Sequence, residues 1–182
     1  MKIIWIIVAL LLAFPARAEA WKVDYGRSEI RFVIKQMNVP VEGGFSRFKV
    51  DAVFDPSKPE MGQFRVDVDV ASIDTGSEEG NGEAKRPVWF DTTRHPKASF
   101  VSKTITKDGQ GRFTMTGDMT VKGRTKSLSL PLLLQPQRQG GWLANGRFAL
   151  KRTDFEIGGG EWADPAVVAN EIEGRFKIFL IP

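Results

Sequence analysis

Residues 64–73, Phe-Arg-Val-Asp-Val-Asp-Val-Ala-Ser-Ile, alternate apolar and charged side chains almost without a break. Phe64, Val66, Val68 and Val70 fall on one side of an extended chain; Arg65, Asp67 and Asp69 fall on the other. Only a strand turns that spacing into one dry face and one wet face. An antiparallel sheet solvated on its outer surface is written this way, and a parallel strand covered on both faces is not.

The same period returns along the chain. Ile30, Phe32 and Ile34 alternate with Arg31, Val33 and Lys35, and Phe48, Val50, Ala52 and Phe54 with Lys49, Asp51 and Val53. Phe113, Met115 and Met119 share a register with Gly117, and Leu128, Leu130, Leu132 and Leu134 form another run. Segments 142–150 and 168–180 complete the series. Asp108-Gly109, Gly140-Gly141 and Gly158-Gly159-Gly160 supply turns between them, while Asn145-Gly146 lies inside an alternating run and reads as a bulge or a turn. Pro131 cannot donate to a ladder and so predicts an edge or a bulge. About eight short strands with almost no helical period predict an all-β, antiparallel barrel or sandwich. One stretch breaks the rhythm. Segment 78–86 reads as a short helical excursion ended by Pro87, and 88–92 as a turn pinning Trp89 and Phe90 against the barrel.

The N-terminus is read as a leader rather than as fold. Lys2 precedes an apolar run over 3–14, and Ala16, Ala18 and Ala20 follow, the layout of a secretory signal peptide cleaved after 18 or 20. The expected mature domain is 19–182, in the periplasm. No Cys follows the apolar run, which excludes a lipoprotein anchor. Removing Lys2 and Arg17 lowers the basic residues from 26 to 24 against 22 acids, a net charge of +2. That mixed, near-neutral balance argues against nucleic acid as a partner. With no cysteine in the chain, thiol catalysis, thiolate metal sites and covalent haem attachment are excluded.

No residue set points to catalysis, a metal or a cofactor. His95, the single histidine, sits in an Arg-His-Pro turn without partners at ligand spacing. Asp67 and Asp69 share a face, as a carboxylate pair would, but Arg65 on that face makes a solvated, charge-balanced surface the better reading. The glycine triplet lacks a following helix, so it is a turn, at a barrel mouth, rather than a phosphate loop. Ser28, Ser46 and Ser102 lack the context of a nucleophile elbow. The aromatic residues by themselves describe an ordinary core.

Five motifs in order add to this. They are Val41-Glu42-Gly43-Gly44-Phe45 through Phe48; Ser72-Ile73-Asp74-Thr75-Gly76; Trp89-Phe90-Asp91 with Pro96-Lys97-Ala98-Ser99-Phe100; Gly117-Asp118-Met119-Thr120-Val121-Lys122-Gly123; and Arg152-Thr153-Asp154-Phe155-Glu156-Ile157-Gly158. Their order and spacing resemble the YceI family of bacterial periplasmic proteins. The resemblance implies an extended, lipocalin-like antiparallel barrel that holds a long apolar chain, a polyisoprenoid, quinone or related lipid, and carries it without catalysis. Inward register in such a barrel selects Phe32, Ile34, Phe48, Val66, Val68, Phe100, Met115, Leu130, Phe148, Phe176 and Ile178 as ligand contacts. Phe45, Phe90, Phe155 and Ile157 are expected at the ends of the cavity. Arg152 is read as an anchor for the strand before Phe155, with a head-group contact as the alternative. Where family members carry histidines, this chain places Arg27 and Lys35 or Gln36. Trp89-Phe90-Asp91 with 158–164 resembles the subgroup found beside di-haem b-type membrane cytochromes, which implies such a cytochrome as partner, with a redox role as the rival reading; a homodimer is also admitted. An outer-membrane barrel is the other rival, opposed by the charge on the wet face.

Overall fold

The computed structural model describes residues 19–55 and 57–182; the leader expected over 1–18 lies outside the described residues. Eleven strand segments follow one another: β1 (Glu19–Val23), β2 (Glu29–Gln36), β3 (Val39–Phe45), β4 (Phe48–Asp55), β5 (Lys58–Asp69), β6 (Ile73–Asp74), β7 (Lys97–Lys107), β8 (Phe113–Val121), β9 (Arg124–Pro136), β10 (Trp142–Lys151) and β11 (Val168–Ile181). A single short helix, α1 (Glu78–Ala84), lies between β6 and β7.

Pairing reduces the eleven segments to eight staves. β1 and β2 both lie along β11, with Lys22 opposite Ile181 and Glu29 opposite Lys177, so they are two lengths of one stave. Ser28 pins their joint: its hydroxyl donates to Asp24 O at 2.7 Å and accepts from the Phe179 N–H at 2.9 Å. β3 and β4 continue one another along β2 and β1, as do β6 and β5 along β3 and β4. The 3₁₀ turn Val70–Ser72 makes the last joint, and Asp69 caps it by accepting the Ala71 N–H at 3.0 Å. Every neighbouring pair is antiparallel, and the first stave returns to β11. The result is the expected closed barrel of eight antiparallel strands, which removes free sheet edges.

The closure has one seam. β9 and β10 pair only from Trp142–Pro136 to Asn145–Leu133, although both strands run on. Pro131 explains why. Its carbonyl faces Gly146 of β10, so its missing N–H falls on the same side and the ladder loses a donor there. Asn145-Gly146 is accordingly neither a turn nor a bulge: both residues run in register with β11, and Asn145 makes the last pair with β9 before the strands part.

Up-and-down connection gives the barrel two unlike ends. The β4–β5, β7–β8 and β9–β10 hairpins close one. The other carries the turns at 37–38 and 122–123 and the two long connections, 75–96 and 152–167. Toward the hairpin end the interior is packed solid: Phe54 and Leu180 are fully buried, and Phe64, Ile105, Met115 and Leu130 join them in one cluster. Outside, charge pairs with charge, Arg65 with Asp67 at 2.7 Å and Lys49 with Asp51 at 2.8 Å.

Candidate functional site

At the helix-bearing end the barrel is hollow. A cavity of about 710 Å³ lies between the staves and the two long connections, within the roughly 300–1,000 Å³ usual for ligand sites. Its wall is written in cross-strand rows. Leu150, Ile172, Ile34 and Val41 stand opposite one another across β10, β11, β2 and β3 and form an aliphatic band. The next row, Phe148, Gly174, Phe32 and Gly43, alternates a ring with no side chain. Each ring lies over a neighbouring glycine so closely that a Cβ there would overlap it. Phe176 lies over Gly146 and Phe100 over Gly117 in the same way. At the height of Phe148 and Phe32, rings laid over the glycines leave the lumen open, and rings standing off the wall would fill it. On β2 the wall runs from Ile30 to Gln36, roughly 20 Å of strand at about 3.3 Å per residue. A tilt of about 40° turns that into a depth of about 15 Å.

A lid covers this end. α1 starts at Ser77, whose hydroxyl accepts the Gly80 N–H at 3.1 Å, with Glu78 and Glu79 in the first turn favouring the helix dipole. The turn after it delivers Trp89 and Phe90. Phe90 meets Phe45 edge to face at 6.2 Å, and Phe45 meets Phe32 at 5.8 Å, so an aromatic row runs from lid to wall. The second connection contributes Phe155, Ile157 and Trp162. The Gly158 N–H donates to Val88 O at 2.8 Å and ties the two connections together.

Arg152 holds the second connection in shape. It is 0 % exposed and faces no carboxylate. Instead its guanidinium donates to six main-chain carbonyls: Ile157 (2.9 Å), Gly158, Trp162 (2.6 Å), Ala163 (3.4 Å), Val168 (2.9 Å) and Ala169 (3.2 Å). Burial pulls its pKa down from the usual value. Of its two sequence readings, the structure shows the anchor: every donor is spent on backbone.

Three polar groups on the cavity wall stand apart. Arg86 donates to Glu83 Oε2 at 2.8 Å and holds that carboxyl below the usual carboxylate range; burial opposes this, and the indole N–H groups of Trp162 and Trp89 face the same carboxyl and assist Arg86. Neither indole attains hydrogen-bond geometry. Glu83 Oε1, Trp89 Nε1 and Trp162 Nε1 are buried with no partner among the described residues.

The fifteen residues singled out from the sequence divide by height in the barrel. Phe32, Ile34, Phe45, Val68, Phe90, Phe148, Phe155 and Ile157 line the cavity. Phe100, Met115, Leu130 and Ile178 are buried in the packed cluster, and Phe48, Val66 and Phe176 pack against it. The dry face of β5 divides likewise: Val68 faces the hollow, while Phe64 belongs to the packed cluster. A shallower depression of about 330 Å³ lies at the seam, between 126–128 of β9 and 149–151 of β10, and shares Met119, Leu150 and Phe155 with the cavity. Glu83, Trp162 and Met119 were not singled out; Met119 alone carried a signal, its place in the register of Met115. Of the positions that replace family histidines, Gln36 lies on the cavity wall, Lys35 is exposed, and Arg27 pairs with Asp24 at 2.9 Å over the Phe179 ring. His95 sits in its turn with its ring against Gly123.

The sequence profile of the YceI-like domain matches residues 21–179, nearly all of this barrel. The chain belongs to the YceI family. A UPF0312 protein of Photorhabdus laumondii is 29 % identical over 175 residues, 91 % of each chain. The protein YceI of Shigella flexneri is 31 % identical over 122 residues, 63 % of this chain and 62 % of its own length. Among solved structures, BcnA of Burkholderia cenocepacia superposes with a TM-score of 0.83 at 35 % identity, over 87 % of this chain and 99 % of its own. A polyisoprenoid binding domain from Saccharophagus degradans shares the fold at 14 % identity, with a TM-score of 0.69 over 89 % of this chain and 98 % of its own. The YceI barrel therefore holds across wide sequence divergence.

Proposed function

We propose that this YceI-family protein is a non-catalytic carrier that holds the apolar chain of a lipid, of the isoprenoid or quinone class, in the cavity at the helix-bearing end of the barrel. The observation that carries the reading is the contrast within one barrel: one end of the interior is close-packed, and the other holds a cavity of about 710 Å³ with an aliphatic and aromatic wall. Burial contributes about 0.8 kcal/mol per methylene before ordering costs, so the enclosed part of a tail suffices for binding. A depth of about 15 Å sheathes part of a long chain rather than all of it. The polyisoprenoid binding described for the Saccharophagus degradans domain supports the ligand class. The leader read over 1–18 supports export to the periplasm.

Native mass spectrometry of the protein produced with its leader, followed by extraction of anything released on denaturation, tests the reading. Discrete mass increments matching an isoprenoid or quinone lipid are expected. Protein that stays free of lipid after incubation with an isoprenoid extract would overturn it.

A further inference from the structure

We propose that Glu83, Trp89 and Trp162 form a head-group site for a neutral hydroxyl, so that the cavity selects long-chain alcohols or phenols over the same chains bearing phosphate or carboxylate. This rests on the lipid-carrier reading and adds the chemistry of the ligand's polar end. Buried side-chain polar atoms nearly always have partners, because leaving one dry and unpaired is costly. Here three such atoms lie together on the wall of one cavity: Glu83 Oε1, Trp89 Nε1 and Trp162 Nε1. They come from α1, from the turn after it and from the second connection, so the convergence is made by the fold alone.

Their inventory selects the partner. An indole N–H only donates, and an ionised carboxylate oxygen only accepts. The site therefore offers two donors and one acceptor. A hydroxyl offers the complement, one O–H and two lone pairs. Its O–H donates to Glu83 Oε1 while its oxygen accepts from both indoles, and the remaining bond on that oxygen leads a carbon chain into the apolar cavity. Water would direct a second O–H at that apolar wall instead.

Charge excludes the alternatives. Glu83 is ionised near neutral pH, and Glu79 shares the wall. Arg86 pairs with Glu83 Oε2 from outside the lining, and Arg31 is the cation that the lining itself carries. A phosphate or carboxylate placed between the indoles would set a second negative charge against the Glu83 carboxylate, and like charges that close repel.

The test uses three probes with one chain type: phytanol, phytanyl phosphate and the hydrocarbon phytane. For the unaltered protein the alcohol is expected to bind on the order of tenfold or more tighter than the phosphate. Glu83→Gln should narrow that ratio, and Trp89→Phe with Trp162→Phe should weaken the alcohol by a larger factor than phytane. In ¹H–¹⁵N spectra the alcohol should shift the indole signals of Trp89 and Trp162 but not that of Trp21, which already donates to Phe54 O at 3.1 Å. Equal binding of alcohol and phosphate, or equal loss of alcohol and phytane in the double variant, would overturn the head-group site and leave the carrier reading intact. Failure of all three probes to bind would instead overturn the carrier reading. Should either variant fail to fold, the probe ratio and the indole signals of the unaltered protein decide the matter.

Discussion

Replacing Arg152 with lysine removes the clamp on the second connection while keeping the charge. The guanidinium serves six carbonyls from five N–H groups in a fixed fork. An ammonium has three donors at one point, so at least three of those carbonyls lose their donor. Each loss in a buried site costs about 1–3 kcal/mol, and partial relaxation of the connection brings the sum to about 3–5 kcal/mol. For a domain of this size, that lowers Tm by roughly 10 °C. The loss should be uneven. Phe155 and Ile157, now 2 % and 3 % exposed, sit on the segment that Arg152 ties down, so lipid capture should fall before the barrel melts. Urea unfolding followed by circular dichroism gives the global term, and hydrogen exchange over 152–168 gives the local one. An Arg152→Lys protein within about 1 kcal/mol of the parent, with unchanged protection over that segment, would refute the clamp.

Three further outcomes follow from the same geometry. Gly174→Val should force the Phe148 ring off the wall and into the lumen, lowering lipid occupancy in native mass spectra; full occupancy would show that the ring has another place to go. In β10, every second amide from 146 to 151, those turned toward β9, should exchange fast while those turned toward β11 stay protected; uniform protection would mean that the seam is paired in solution. Glu83 has a folded pKa below its reference of 4.5, so its contribution is present above that value and lost as pH falls through the folded one. Emission from Trp89 and Trp162 should therefore change in acid before the far-ultraviolet signal does, and simultaneous change would refute the local switch.

Much of the architecture was legible because a strand announces itself in two-residue steps. The run at 64–70 located β5, Pro131 marked the edge or bulge where the seam lies, and Pro87 marked the end of the helical excursion. The boundary between packed and hollow was not legible. Val68 and Met115 are both inward-facing apolar residues in regular strands, and nothing within either strand says which height of the barrel is filled. The signal for the hollow lay between strands: glycines at inward positions 43 and 174, each beside a phenylalanine that only register can pair with it. Glu83 and Trp162 were invisible for a related reason, since their meeting depends on two connections folding over one end. Arg152 was legible as important but not as a backbone clamp, because carbonyl acceptors leave no mark in a sequence.

The split interior makes Val68 and Met115 a matched test of the whole arrangement. Val68 stands on β5 between Phe48 and Ala98, with its side chain on the cavity; Met115 stands on β8 between Ile105 and Leu130, 4 % exposed in the packed half. Both changes to tryptophan enlarge an inward side chain in the middle of a sheet. In close-packed surroundings the added bulk forces strain, about 1–3 kcal/mol and occasionally more. In the hollow half it meets open space, gains apolar contacts and takes volume from the cavity. Val68→Trp should therefore keep or raise Tm while reducing lipid occupancy, and Met115→Trp should lower Tm by several degrees while the remaining folded protein binds normally. A ligand should also raise the Tm of the parent more than that of Val68→Trp, because binding to the folded state alone stabilises by about 2.7 kcal/mol at a hundredfold excess over Kd. Equal destabilisation by the two tryptophans would mean that both heights of the barrel are packed alike, and equal loss of lipid would mean that the ligand runs through both; either result would sink the division on which the site is built.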